Sequence, residues 1–203
     1  MKKVAVIHGV FMNKLVMRPL STRIEEGGYK TLSIHYDSFN FNLEGIFKTL
    51  DAFFDGEEHV AIVGWSLGGL IARAYLERNS SGAKKVQKVI TLGTPHKRSH
   101  MARFFFSPLP NILRPGASTL LLHSHQSWDF ECPLYSIAGS NNKGLFWLLS
   151  SSDSDGTVEI EETMIEGMAL HLIRNKTHAG LIFSRDVAKD VLSILNNTLD
   201  STP

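Results

Sequence analysis

The sequence predicts an α/β fold in which helices cover both faces of a mostly parallel sheet of about six strands. The first observation is a set of six short apolar runs rich in branched residues, at 4–7, 31–35, 60–63, 89–92, 134–138 and 169–173. The second is that helical spacing of apolar residues separates these runs. Strands that are apolar on both sides are typical of parallel sheets between two helical layers. We therefore expect a three-layer α/β/α sandwich with right-handed crossovers.

The helices are predicted from apolar residues that recur every three or four positions. One helix is expected over 43–54, where this spacing is carried by Leu43, Ile46, Phe47, Leu50, Phe53 and Phe54. A second helix is expected directly after Ser66, where Leu67, Leu70 and Ile71 begin the same spacing. Residues 181–199 predict a single C-terminal helix that turns Val187 towards the core.

Residues 98–128 depart from this alternation. They contain three consecutive phenylalanines at 104–106, three prolines and three consecutive leucines at 120–122, with no clear strand. The segment is longer than an ordinary connection, so we interpret it as an insertion into one domain that spans 1–203. We expect it to form a cap that lines the substrate pocket, with Phe104 and Phe105 as substrate-binding residues. A helix packed on the body, or a contact with lipid or protein, is the alternative.

Composition limits the classes of function. The chain has 203 residues, a formal net charge of +1 and one cysteine. A net charge this close to zero predicts no nucleic-acid partner and no overall attraction to anionic membranes, although a local basic patch is compatible with it. Cys132 cannot form an internal disulfide and is expected to be a buried core residue. The apolar run at 4–7 is too short for a signal peptide, and no run could span a bilayer, so a cytoplasmic location is expected.

The stretch Gly64-Trp65-Ser66-Leu67-Gly68 follows a predicted strand and opens a predicted helix. A sharp reversal at Ser66 would strain its backbone and would leave no room for neighbouring side chains, which explains glycine two residues to either side. The hydroxyl would stand at a helix N-terminus, where backbone N–H groups favour developing negative charge. Ser66 is therefore the candidate nucleophile, and a structural glycine-rich turn is the alternative.

A serine nucleophile needs a base that takes its proton. His178 lies in a loop just past the last predicted strand, and catalytic residues of open α/β sheets collect beyond such strand ends. His171 lies within that strand and is expected to be a partly buried structural residue. His96, His100, His123 and His125 are weaker candidates because they lie in or near the insertion.

The base in turn needs a carboxylate that orients it. Two aspartates, Asp153 and Asp155, occupy the polar loop that follows the fifth predicted strand. Asp155 is favoured because Gly156 permits a tight turn after it and Val158 can anchor the loop, but Asp153 stays open. The pair lacks the later ligands of a calcium loop, so no metal site is expected.

An oxyanion also needs preorganised N–H donors. We expect one from Leu67, which follows the candidate nucleophile, and one from the loop after the first strand, where Gly9 lets the backbone turn inward. Val10 is the favoured second donor and Phe11 the reserve, and the side chain of Phe11 is also expected to contact substrate. His8 is expected to fix this loop by hydrogen bonding.

These motifs together resemble the α/β-hydrolase superfamily, in particular its small lipase-like and esterase-like serine hydrolases. The resemblance covers nearly the whole chain, from His8-Gly9 through the Ser66 turn, Gly93-Thr94-Pro95-His96 and Asp155-Gly156 to Thr177-His178. The order Ser, Asp, His is that of the superfamily. The resemblance implies a compact α/β-hydrolase fold, hydrolysis of a small-molecule or lipid-like acyl ester, and no cofactor.

Other functions stay open because a fold does not fix a substrate. A thioesterase, an acyltransferase or an amidase would use the same three residues. A binding protein that keeps the scaffold without catalysis is also possible, but it would have no need for a serine, a histidine and a carboxylate at three separate strand ends.

Overall fold

A parallel sheet of six strands forms the centre of the protein in a computed structural model, which describes residues 2–38, 40–97, 120, 125–143 and 153–198. In chain order the strands are β1 (Lys3–Ile7), β2 (Lys30–Ile34), β3 (Val60–Trp65), β4 (Val86–Leu92), β5 (Leu134–Gly139) and β6 (Leu170–Arg174). Their order across the sheet is β2-β1-β3-β4-β5-β6, and each pair of neighbours is parallel. The predicted fold class is thus confirmed, and every strand begins and ends within a few residues of its predicted position.

Five α-helices lie within the described residues. They are α1 (Arg18–Glu26), α2 (Leu43–Phe54), α3 (Leu67–Glu77), α4 (His178–Phe183) and α5 (Arg185–Asn196). Short 3₁₀ turns occupy Lys14–Met17, Ala83–Lys85 and Glu161–Thr163. Among the described residues, no helix combines the length and the apolar character needed to cross a membrane.

The two helical layers follow from the alternation of side chains along each strand. In β1, Ala5 and Ile7 belong to the core beneath α2 and α3, whereas Val4 and Val6 belong to the core beneath α1, α4 and α5. All four side chains are fully buried. A strand that is covered on both faces must be apolar at its buried positions, which is why 4–7 in β1 and 60–65 in β3 read as continuous apolar runs.

The C-terminal region differs from its prediction. The single helix expected over 181–199 is two helices, since Ser184 leaves the helical conformation at ψ 132° and its hydroxyl accepts from the amides of Asp186 and Val187. Ser184 thereby ends α4 and caps α5. Apolar spacing continues across this break, so periodicity alone does not reveal it. The consequence is that His178 stands at the start of its own short helix.

Most of the predicted insertion, including Phe104 and Phe105, lies outside the described residues. Its last residues, 125–128, belong to the body of the protein. The amide of His125 donates to the carbonyl of His96 at 3.1 Å, and Trp128 is 4% exposed within the core. The indole of Trp128 donates to the carbonyl of Cys132. Cys132 is buried, as expected, and burial raises the pKa of its thiol to about 11.

Candidate active site

Ser66 occupies the turn between β3 and α3 with a backbone conformation that L-residues rarely adopt. Its φ is 54° and its ψ is −121°. Two hydrogen bonds hold it there: its amide donates to the carbonyl of Leu92 at 2.9 Å, and its carbonyl accepts from the hydroxyl of Thr94 at 2.9 Å. The side chain makes no capping bond to α3, so the hydroxyl is not used to satisfy the helix. Such strain persists only where the surroundings enforce it, and it concentrates at functional sites.

The two glycines that flank this turn permit a very close approach of backbone to backbone. A Cβ on Gly64 would lie 2.5 Å from the amide nitrogen of Gly69, and a Cβ on Gly68 would lie 2.2 Å from the carbonyl oxygen of Ile7. Both obstacles are main-chain atoms, which cannot move aside like a flexible side chain. Packing of α3 against β1 and β3 is thus the reason for the glycine spacing around Ser66.

Asp155 and His178 are joined by a short hydrogen bond. His178 Nδ1 and Asp155 Oδ2 are 2.6 Å apart, and the amide of His178 also donates to the carbonyl of Asp155. The other carboxylate oxygen, Oδ1, accepts from the amides of Thr157 and Val158 at 3.0 and 2.8 Å. The carboxylate is 1% exposed, so its charge is stabilised by these three donors.

The alternative acid occupies a different position. Asp153 is exposed, and its carbonyl accepts from the amide of Ile160 on the outside of the same loop. The tight turn that follows Asp155 is closed by a bond from the amide of Asp155 to the carbonyl of Val158, and Gly156 adopts a φ of 87° within it. The structure therefore brings Asp155 to His178 and leaves Asp153 in solvent.

Trp65 connects the Ser66 turn with His178, a role that the sequence analysis did not predict. Its indole N–H donates to the carbonyl of His178 at 3.1 Å, and the two rings pack with centroids 5.1 Å apart. Because Trp65 directly precedes Ser66, this contact couples the position of the histidine to that of the turn. The signal in the sequence was only a bulky aromatic residue between Gly64 and Ser66.

The loop after β1 lies against the same turn. A Cβ on Gly9 would be 3.1 Å from the Cβ of Ser66, so a side chain at position 9 would crowd Ser66. Among the described residues, no protein acceptor is hydrogen-bonded to the amides of Val10 and Leu67. The amide of Phe11, the reserve donor, already donates to the hydroxyl of Ser38 at 2.8 Å. Val10 and Leu67 consequently stay the candidate oxyanion donors, while the Phe11 side chain is 44% exposed.

His8 is held inside the protein by its neighbours on this loop. Its Nδ1 lies 2.8 Å from the carbonyl oxygen of Gly9, and its ring stacks on Tyr36 at a centroid distance of 4.1 Å. The Tyr36 hydroxyl donates to the carbonyl of His8. Burial lowers the pKa of His8, so the ring is neutral near pH 7. These contacts fix the loop, as expected for His8.

His171 and His96 each pair with a threonine hydroxyl. His171 lies on β6 and pairs with the Thr163 hydroxyl at 2.8 Å, in agreement with its predicted role. His96 is fully buried, and its Nε2 pairs with the Thr91 hydroxyl at 3.1 Å. Burial lowers the pKa of His96 to about 3, which keeps it uncharged. Within the described residues, no three acidic, histidine or cysteine side chains are grouped so that they could hold a metal ion.

Two sequence comparisons match parts of the chain. The family described as a PGAP1-like alpha/beta domain matches residues 29–107, which include the Ser66 turn but are less than half of the chain. The "Lysosomal thioesterase PPT2 homolog" of Drosophila melanogaster is 28% identical over 129 residues. That match covers 59% of this chain and 44% of the length of the relative.

Solved structures match nearly the whole chain at low identity. The mature Bacillus licheniformis lipase BlEst2 superposes with a TM-score of 0.71 and 17% identity over 95% of this chain and 91% of the lipase. The methylesterase MES16 from Arabidopsis gives a TM-score of 0.61 and 15% identity over 98% of this chain and 99% of its own. Together with the six-stranded parallel sheet, these structural matches show that the chain has the α/β-hydrolase fold.

Proposed function

We propose that this protein is a serine hydrolase that cleaves carboxylic esters through an acyl-enzyme intermediate. Ser66 is the nucleophile, His178 the general base and acid, and Asp155 the residue that orients the imidazole. The observation that carries the proposal is the 2.6 Å contact between His178 and Asp155, together with a serine at φ 54° that directly follows Trp65, whose ring packs on His178. A structural turn has no need to strain a serine or to bury a carboxylate against a histidine.

Acylation begins when the Ser66 oxygen attacks the carbonyl carbon of the ester and His178 Nε2 takes the hydroxyl proton. Asp155 accepts a hydrogen bond from the Nδ1–H of the ring, which holds the tautomer whose Nε2 carries the lone pair that this step requires. The tetrahedral intermediate then collapses, and the proton on Nε2 goes to the departing alcohol. Water repeats the sequence on the acyl-serine and releases the carboxylic acid.

The negative charge on the substrate oxygen is stabilised by the amides of Leu67 and Val10. Leu67 is the first residue of α3, an eleven-residue helix whose dipole adds to the positive potential at this point. Donors of this kind that are already in place cost no rearrangement during the reaction, and removal of one commonly lowers kcat by about 10²–10³-fold.

Hydrolysis assays on purified protein test the proposal. We expect turnover of a chromogenic short-chain ester by the native chain and loss of that turnover in Ser66→Ala, with the thermal unfolding temperature little changed because the side chain shrinks by one oxygen. Equal turnover by both proteins would refute the role of Ser66. A matched control is Ser80→Ala, which removes a hydroxyl that donates to Asp51 beyond the C-terminal end of α3, away from Ser66.

A thioester is the second candidate substrate, because the Drosophila relative is named a thioesterase. The same residues would attack a thioester carbonyl and expel a thiolate. Parallel assays with an oxygen ester and a thioester of the same acyl chain decide between the two, since the acyl-enzyme is identical and only the first step differs. An amide of the same chain tests the amidase alternative.

We further propose that 1–203 is a single domain and that the insertion, with Phe104 and Phe105, forms the wall of the acyl pocket. The ends of the insertion support this proposal, since the carbonyl of His96 accepts from His125 beside the strand end that carries Thr94. Substitution of Phe104 and Phe105 by serine should change the preferred acyl chain length more than the unfolding temperature. Unchanged selectivity would refute the pocket role.

A further inference from the structure

An open groove of about 790 Å³ runs between α1 and α5 and carries an excess of positive charge. Its lining includes Arg18, Arg23, Arg185 and Lys189 and a single carboxylate, that of Glu26. The groove therefore holds three more positive than negative charges, whereas the whole chain has a net charge of only +1. Both helices start at the edge of the sheet that carries Ser66 and His178, so the groove reaches that edge.

These cations have no ionic partner in the described part of the chain. None of the four lies within 4.0 Å of a carboxylate oxygen, although Arg73, Arg78, Arg174 and Lys176 all pair with acids elsewhere. Arg23 donates to the carbonyl of Phe183 at 2.8 Å, which leaves its charge uncompensated. Unpaired like charges on one face repel one another, and an anionic partner would relieve that repulsion.

Large apolar side chains are exposed in and around the groove. Leu15, which lines the groove, is 63% exposed, and Phe183, whose carbonyl accepts from Arg23, is 49% exposed. Met12, three residues before Leu15 in the chain, is 45% exposed. Phe183 is two residues from Arg185 and ends α4, the helix that begins with His178. Exposed apolar side chains clustered with polar ones mark interaction surfaces. We call this set, with the four cations of the groove, the α1/α5 face.

We propose that the α1/α5 face binds the surface of an anionic lipid assembly. The cations would contact the headgroups, and Leu15, Met12 and Phe183 would enter the apolar boundary beneath them. A nucleic acid or an acidic protein would satisfy the charges but would leave the three apolar side chains without a partner, so lipid fits both features. The inference goes beyond the proposed hydrolysis and explains how a lipid-like ester could be presented to the strand edge that carries His178.

Vesicle binding by the 203-residue chain that carries Ser66→Ala tests this proposal independently of catalysis. We expect cosedimentation with vesicles of phosphatidylcholine and phosphatidylserine, weak cosedimentation with phosphatidylcholine alone, and weaker binding at high salt because exposed charges are screened. The charge variant is Arg18→Glu with Arg185→Glu and Lys189→Glu. Its matched control is Lys30→Glu with Lys48→Glu and Lys84→Glu, which changes net charge equally at exposed sites away from the groove.

The charge variant should lose about tenfold or more in partitioning, since each basic residue near an anionic surface contributes roughly fivefold, and the control should change far less. Leu15→Asp with Phe183→Asp should lose about tenfold as well, with a native unfolding transition. Equal losses in the charge variant and its control would overturn the proposal. Unchanged binding of the apolar variant, or equally tight binding to duplex DNA, would show a general polyanion surface and would overturn it too.

Discussion

Replacement of Asp155 by asparagine separates the two functions of this carboxylate. Its two oxygens have different partners: Oδ1 accepts from two backbone amides, and Oδ2 accepts from His178 Nδ1. Asparagine has one acceptor oxygen and one NH₂ group in the same shape. In either orientation of the amide, one set of former donors therefore faces another donor.

The energies of the two orientations differ. If the NH₂ group faced the amides of Thr157 and Val158, two hydrogen bonds to a charged acceptor would be lost, at about 1.5–3 kcal/mol each. If instead the NH₂ group faces His178, both loop bonds remain and the ring answers by placing its proton on Nε2. We expect this second orientation, with a small loss of stability. His178 then cannot take the proton of Ser66, and kcat should fall by about 10⁴-fold.

The assay is steady-state hydrolysis of a soluble ester, with thermal unfolding measured on the same protein. The matched control is Asp153→Asn, two residues away and exposed, which should leave kcat within about twofold because surface substitutions of this kind have small effects. Retention of a tenth or more of the native kcat by Asp155→Asn would refute the reasoning. A large loss in the Asp153 variant would instead assign the triad acid to the other aspartate.

Three further predictions follow from single contacts. Gly68→Ala should unfold the protein or destabilise it by several kcal/mol, because its Cβ would meet the Ile7 carbonyl oxygen at 2.2 Å, and thermal denaturation measures this loss. Trp65→Phe should cost about 1 kcal/mol of stability through its lost hydrogen bond and should also lower kcat by misplacing His178, as steady-state kinetics would show. The free energy of unfolding should fall as pH falls from about 6.5 towards 3, since His96 is held neutral in the folded state and takes a proton once unfolded. His96→Gln should reduce this slope in unfolding titrations.

Each of these predictions has a matched control. Gly28→Ala places a Cβ at a φ of 90° with no atom within 4 Å, so it measures conformational strain alone, about 1–2 kcal/mol. Trp128→Phe loses a comparable buried indole hydrogen bond away from the site and should reduce stability without a specific effect on kcat. Thr91→Val removes the hydroxyl that pairs with His96 Nε2 without removing a titratable group, so most of the pH slope should remain. A control that behaves like its test variant would contradict the corresponding explanation.

The fold could be predicted from sequence because its strongest signal is local. Strands buried on both faces must be apolar, which marks β1 and β3 most clearly, and short runs rich in branched residues marked the other four strands to within a few residues. The break at Ser184 was missed, since apolar spacing runs on from Leu181 to Val187 and the serine acts through a hydrogen bond that periodicity does not report. The signal that could have found it is a serine followed two residues later by an acid.

The candidate site could be predicted where residues close together in the sequence determine the local backbone conformation. Gly64 and Gly68 gave the position of Ser66 because the turn itself requires them. The supporting contacts were not predictable, since they join residues far apart in the chain: Trp65 reaches His178 across 113 positions, and Thr94 reaches Ser66 across 28. The choice between Asp153 and Asp155 likewise depended on a turn whose closure is visible only in three dimensions.

The central claim is that Ser66 is an activated nucleophile, and covalent labelling tests it most directly. The native protein would be treated with a fluorophosphonate and its intact mass and peptide masses measured, beside Ser66→Ala as the control. The account predicts one adduct, located on the peptide that contains Ser66 and absent from the variant. A folded native protein that gains no adduct, or an adduct that persists in Ser66→Ala, would contradict it.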